Sequence, residues 1–297
     1  MDKLNTLIVI TGPTGVGKTD LAINVAQHFG TEIISADSRQ IYRDLPIGTA
    51  APTQEQLSKV KHHFVAIKNL DEYYSAAQFE EDALAKISEL FKTHQYVVMC
   101  GGSMMYVDAV CKGIDHIPTI SDDIRNQVVE EYKNNGIEPL LMELLATDPD
   151  YYNIVDKQNH KRVVHAVEIC RQSGTTYTSL RKGIAKERPF KIVKIGLNRP
   201  RPELFDRINR RVELMLEEGL EEEARKVFPL RHLNSLNTVG YKEMFEYFLG
   251  NMDFETARER LKKNTRVYAK KQLTWFAKDE TMRWCNPEEF EIEDLEI

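Results

Sequence analysis

Gly12-Pro13-Thr14-Gly15-Val16-Gly17-Lys18-Thr19 has the spacing G-x-x-x-x-G-K-T. Glycines at these positions let backbone N–H groups converge on phosphate oxygens. Lys18 supplies a mobile charge to a terminal phosphate, and the Thr19 hydroxyl can ligate Mg²⁺. The loop alone does not say which phosphate compound binds, or whether a phosphoryl group moves. Further on, Asp37-Ser38-Arg39-Gln40 packs an acid, a hydroxyl, a cation and an amide into four residues. Asp37 could hold Mg²⁺, act as a base, or simply close an Asx turn. A third cluster is Gly101-Gly102-Ser103. Nucleotide-hydrolysing P-loop proteins usually place an acid that holds Mg²⁺ at such a strand end. Here a double glycine allows close backbone approach to a ligand, and Ser103 offers a hydroxyl.

These groups meet only if one sheet edge presents them. Thr6–Thr11 (TLIVIT) reads as a buried strand leading into the glycine loop, and Lys18–Phe29 as the helix after it. The N-terminus of that helix adds positive potential for an anion. Glu32–Ala36 and Tyr96–Cys100 read as two more strands, with a helix over Ala76–Phe91 between them. Ligands of open α/β sheets bind at the carboxyl ends of such strands. The pattern predicts an α/β fold, a P-loop NTPase-like parallel sheet flanked by helices. Residues 1–120 form the first part of this core. Residues 121–188 read as an all-helical insertion, with helices over Asp122–Lys133, Ile137–Ala146 and Asn159–Ser173. Residues 189–297 return to the core through a strand at Lys191–Leu197. They continue as a helical C-terminal region: Glu203–Glu218, Tyr241–Leu249 and Phe254–Ala277, then an acidic, partly frayed tail from Asp279.

The 297 residues, 42% hydrophobic, suffice for a real core. No early apolar run approaches a signal or membrane-spanning segment. The four cysteines, Cys100, Cys111, Cys170 and Cys285, lack metal-binding or disulfide spacing. A cytoplasmic protein without membrane contact is expected. The formal net charge of −6 argues at first against nucleic acid. Divided by segment it reads differently. Lys157–Arg201 holds twelve Lys/Arg against two acids, and Arg258–Gln272 seven against one, while Asp279–Ile297 has eight acids against one Arg. Two basic segments could bind RNA phosphates, and −6 is the average over an acidic remainder.

GPTGVGKT, ISADSRQIYRDLPIGTAAP (Ile34–Pro52) and GGSMMYVDAVCKGI (Gly101–Ile114) together resemble the bacterial tRNA dimethylallyltransferases, also called tRNA isopentenyltransferases. So do DRINRRVELMLEEGLEEEA (Asp206–Ala224), NTVGYKE (Asn237–Glu243) and the helix ending KKQLTWF (Lys270–Phe276). The resemblance covers nearly the whole chain. It implies transfer of the dimethylallyl group of dimethylallyl diphosphate to N6 of the adenosine immediately 3′ of the anticodon. The P-loop then binds the diphosphate of an alkyl donor, with Mg²⁺ at Thr19.

By the same resemblance Asp37 is the base, and Arg211 stabilises the leaving diphosphate; spacing does not separate it from Arg207. Ser103 stands where the family usually has Thr, keeping the hydroxyl and losing the methyl. Asp37, Ser38, Arg39 and Gln40 read the flipped adenine and its neighbours, while Ser103 and Arg125 touch the tRNA. The insertion grips the anticodon stem-loop through Lys161, Arg162, Val163, Val164 and His165. There the valines could equally be core and His165 an ordinary surface residue. Gly240, Tyr241, Lys242, Lys270, Lys271 and Gln272 complete the implied tRNA contacts. A monomer is the default, since tRNA supplies the large interface. The alternative is an ATP-dependent small-molecule P-loop kinase, which the missing acid and the long basic helix disfavour.

Overall fold

The computed structural model describes residues 4–295. Six strands, β1 Thr6–Thr11, β2 Ile33–Ser35, β3 His62–His63, β4 Tyr96–Cys100, β5 Lys191–Leu197 and β6 Arg283–Cys285, form one sheet in the order β3-β2-β4-β1-β5-β6. Every pairing is parallel. The central strand β1 is buried along its whole length, as its β-branched run requires. Its side chains alternate between faces. Leu7 and Val9 pack with Phe79, Ala83 and Ile87 of the helix Ala76–Leu90. Ile8 and Ile10 pack with Ala22, Val25 and Ala26 of the helix Lys18–His28. Helices therefore cover both faces, and the carboxyl ends of β1, β2 and β4 emerge together at one edge.

The flanking helices stop where local chemistry stops them. Ser75 caps the helix Ala76–Leu90 in a capping box with Gln78. Pro202 sits in the first turn of the helix Arg201–Glu217, where a missing N–H costs nothing. A further core joins Val212, Leu220, Ala224, Tyr241, Met244 and Leu261 from the C-terminal helices.

Residues Lys112–Lys186 form a compact unit of their own; the expected insertion was 121–188. It contains the helices Asp122–Asn135, Glu138–Thr147, Pro149–Ile154, His160–Ser173 and Tyr177–Leu180. Val128, Leu140, Leu144, Val163 and Val167 make its core. Arg171 donates to both Glu131 and Glu143 at 2.6 Å, tying three of these helices together.

Two expectations are corrected. The segment after Asp279 is not frayed over its described part. β6 extends the sheet, and Leu295 is buried in the core beneath the helix Lys18–His28. The basic segments are also less available than their charge suggests. Arg188 pairs with Glu80, Lys194 with Asp279, and Arg199 with Glu203 and Glu288. Arg258 and Lys262 pair with nearby glutamates. Such cations are spent on the fold. Among the described residues no helix is long and apolar enough to cross a membrane, and all four cysteines are free thiols.

Candidate active site

The glycine loop leaves β1 through Gly12, at φ 145°. A Cβ there would lie 2.6 Å from the carbonyl oxygen of Leu197 on β5, so only glycine fits. Gly17, at φ 108°, precedes the helix Lys18–His28, and no side chain caps that helix. Its first N–H groups are left for an anion. Lys18 Nζ donates to the Pro13 carbonyl at 2.8 Å, which folds the ammonium back over the loop. Burial above all, helped by nearby Arg211 and opposed by Cys100 and Asp37, brings the Lys18 pKa down to about 8. Burial pushes the Cys100 thiol up to about 12, so it stays protonated.

β2 delivers Asp37. Its Oδ1 accepts the N–H of Arg39 at 2.9 Å and of Gln40 at 3.2 Å. The Asx turn is therefore present, and it fixes the direction of the carboxylate. β4 delivers the double glycine. A Cβ on Gly101 would lie 2.1 Å from the Ala36 carbonyl oxygen. Ser103, almost fully buried, accepts from the Ser38 N–H at 2.8 Å and donates to Ser38 Oγ at 3.1 Å. The hydroxyl alone makes these bonds, so nothing here calls for the methyl of a threonine.

Gln272 joins two loops. Its Oε1 accepts the Thr14 N–H and its Nε2 donates to the Gly102 carbonyl, both at 2.8 Å. Arg211 and Arg207, on the helix Arg201–Glu217, both reach the glycine loop. Arg207 Nε donates to the Gly15 carbonyl at 3.0 Å, whereas Arg211 only skirts the Thr14 hydroxyl at 3.5 Å. Burial lowers the Arg211 pKa, and no carboxylate pairs with it among the described residues. Arg211 is thus a partly buried cation without a carboxylate ion pair among the described residues, drawn electrostatically by Asp37 and placed close enough to Lys18 to lower its pKa.

Together these groups line a cleft of about 1160 Å³. Thr14, Gly15, Gly17, Lys18 and Thr19 reach it, as do Asp37–Gln40, Ser103 and Arg211. Gly240, Lys242, Lys271 and Gln272 reach it from the C-terminal segments. Several expected site residues do not line it. Val16 is core. Gly12 and Pro13 are buried in the turn out of β1. Tyr241 is fully buried, its hydroxyl donating to Glu223 at 2.6 Å, so its side chain presents nothing to RNA. Lys270 lies over the Phe205 ring at 5.3 Å.

In the insertion unit Arg125, Lys161 and Arg162 are exposed. Val163 is core, and Val164 is partly buried against that core. His165 stands 3.5 Å from Glu168.

Sequence reasoning missed three contributors. Arg199 donates to the Val16 carbonyl at 2.9 Å and is held by Glu203 and Glu288. Tyr268 lines the cleft near Asp37, its phenol pushed up to about 12 by burial. Glu223 binds the turn after Asp37 and is treated below. An acid in a run of acids on a helix gave no signal.

Among the described residues no three His, Cys, Asp or Glu side chains cluster to hold a metal. The donors here suit a hard cation that draws most of its ligands from a diphosphate and water, with the Thr19 hydroxyl as the protein's share.

Residues 40–279 match the family described as IPP transferase. The chain belongs to this family. Among its IPP transferase relatives, tRNA dimethylallyltransferase 2 of Parabacteroides distasonis is 57% identical over 97% of this chain and 96% of its own. tRNA dimethylallyltransferase 1 of Phocaeicola vulgatus is 56% identical over 96% and 95%. The full-length tRNA isopentenylpyrophosphate transferase of Bacillus halodurans superposes with a TM-score of 0.70 at 35% identity, covering 98% and 92% of the two chains. A eukaryotic dimethylallyltransferase acting on tRNA reaches a TM-score of 0.77 at 25% identity, covering 92% of this chain and 70% of its own.

Proposed function

We propose that this chain transfers the dimethylallyl group of dimethylallyl diphosphate to N6 of the adenosine immediately 3′ of the anticodon in tRNA. One observation carries the reading. A phosphate loop shares its cleft with a turn-fixed carboxylate, Asp37, and β4 ends beside them in a double glycine instead of an acid. On this reading the glycine loop binds the donor's diphosphate, and Asp37, lining the same cleft, serves as the base.

The N6 amine is a poor nucleophile, because its lone pair is delocalised into the ring. Asp37 takes its proton as N6 attacks the allylic carbon. The new N–C bond forms while the C–O bond to diphosphate breaks. The departing negative charge is held by the loop amides, Lys18 and Arg211. Mg²⁺, held at the Thr19 hydroxyl, would supply further charge neutralisation for the leaving group. Ser38, Arg39 and Gln40 read the adenine and its neighbours, while Ser103 holds Ser38 in place. The adenosine reaches this cleft by flipping out of the anticodon loop, where unstacking is cheap.

Lys242 and Lys271 at the cleft, and Arg125, Lys161, Arg162 and His165 on the insertion, contact the tRNA backbone of the anticodon stem-loop. The protein acts as a cytoplasmic monomer.

The test is to mix the protein with unmodified tRNA, dimethylallyl diphosphate and Mg²⁺, with ATP as a parallel control. A mass gain of one dimethylallyl group on the adenosine is expected, with ATP not consumed. No gain on a competent tRNA sinks the proposal.

A further inference from the structure

A buried carboxylate outside the reacting groups grips the cleft wall. Glu223, on the helix Leu220–Val227, is 7% exposed. Its Oε2 accepts the Ile47 N–H at 2.8 Å, and its Oε1 accepts the Gly48 N–H at 2.7 Å and the Tyr241 hydroxyl at 2.6 Å. A Cβ on Gly48 would lie 2.6 Å from the Tyr241 hydroxyl oxygen, so the turn packs against that ring without room for a side chain. Beyond Gly48 the chain bends through Ala50 at φ 47°, a left-handed conformation that alanine rarely adopts. Thr49 and Ala50 turn their carbonyls onto Gln40 Nε2, at 3.2 and 2.9 Å.

The consequence reaches the site. Two carbonyl acceptors on one amide nitrogen admit a single orientation of the Gln40 carboxamide, because the flipped form would set oxygen against oxygen. The Gln40 N–H in turn donates to Asp37 Oδ1. A continuous chain of hydrogen bonds thus runs from Tyr241 through Glu223 and the strained turn to Gln40 and Asp37. Turns at a cleft rim can be solvated by water at little cost. Burying a carboxylate to hold one is expensive, and breaking its partners leaves charge uncompensated.

We propose that Glu223 is a positioning residue for recognition of the target adenine, acting through the 47–50 turn on the Gln40 carboxamide. This rests on the reaction proposed above. Among the described residues no hydrogen bond joins the glycine loop to the Glu223–turn–Gln40 contacts, so donor affinity should be affected less than tRNA recognition.

The experiment compares wild type, Glu223→Gln, Gln40→Ala and the double variant under steady-state prenylation, with thermal melting of each. Glu223→Gln keeps the volume and sets an amide N–H against a donor. A misplacement of this kind is expected to lower kcat/KM for tRNA about 10–100-fold. KM for dimethylallyl diphosphate should change less than about 3-fold. The double variant should fall no more than about 2-fold below Gln40→Ala, because both act through one contact. Should Glu223→Gln not fold, Tyr241→Phe removes one donor and should give a smaller loss in the same tRNA parameter. Equal losses for both substrates, or a double variant equal to the product of the singles, overturns the proposal. So does unchanged tRNA kcat/KM in Tyr241→Phe where Glu223→Gln does not fold. An inactive wild type sinks the proposed reaction instead, so the two failures are distinguishable.

Discussion

The Thr14 amide donates to Oε1 of Gln272 at 2.8 Å, across 258 positions of sequence. The same side chain donates to Gly102, so one carboxamide sets the spacing between the glycine loop and the double glycine. Gln272→Ala removes both bonds and leaves a partly buried N–H and a buried carbonyl. It should destabilise the protein by about 1–3 kcal/mol and raise KM for dimethylallyl diphosphate. Denaturant unfolding and donor titration at saturating tRNA check this. Unchanged values in both would mean that water replaces the amide.

Asp37 is best probed by a change that preserves the turn. Asp37→Asn keeps an acceptor oxygen for the Arg39 and Gln40 amides and removes the base. Single-turnover transfer should fall by about 10²–10⁴-fold, with donor binding retained. Near-normal transfer would refute the base assignment.

Arg211 and Arg207 should separate in kinetics. Arg207 already spends its Nε on the Gly15 carbonyl, so Arg207→Ala should mainly raise the donor KM. Arg211 makes no carboxylate ion pair among the described residues, and in the proposed reaction it meets the charge that develops as diphosphate leaves. Arg211→Ala should lower kcat by about 10²–10³-fold. Equal effects on kcat and KM from both variants would contradict this division.

Lys18 gives the reaction a pH signature. Burial first, then Arg211, holds its pKa at about 8 against an ordinary 10.5. In the free enzyme kcat/KM for the donor should therefore fall as pH rises through about 8. Lys18→Arg, always charged, should lose that fall from this window. The stability consequence has the opposite sign. Between about 8 and 10.5 the unfolded chain binds more protons at this site than the folded one. Stability from this group therefore rises with pH across that window. Lys18→Met should abolish the rise, and should raise the melting temperature at pH 7 while destroying turnover. Melting curves of both proteins from pH 7 to 10 test it.

Much of the fold was legible because its signals are local. β1 and β4 lie where their apolar runs placed them, β5 where polar and apolar residues alternate, and Lys18 opens a helix as the glycine loop required. The edge strands were not legible. His62–His63 and Arg283–Cys285 are two and three residues long, polar or mixed, and become strands only by pairing with β2 and β5. Glu203–Glu218 was expected to begin after Pro202, but the helix begins at Arg201 and holds the proline in its first turn.

In the site, glycine spacing and Asp37 were visible because each motif is contiguous. Glu223 and Arg199 were not, because their partners Ile47, Gly48 and Val16 are remote in sequence and are backbone groups. Tyr241 sits in a matching motif yet points into the core, since a motif reports a position and not a side chain's direction.

The register of β1 bears on how the chain is made. Thr6 pairs on one side with Tyr96 and on the other with Lys191. During synthesis the strand carrying the glycine loop emerges before both of its neighbours, and it waits unpartnered until β4 appears. It remains open on its second edge until the entire Lys112–Lys186 unit has been translated. That unit is continuous and has its own core, so its contacts can form while the sheet is still incomplete. The sheet around the glycine loop is thus completed only after β5 has been translated. A nascent chain arrested before β5 would expose the apolar edge of β1 to any chaperone at the exit tunnel.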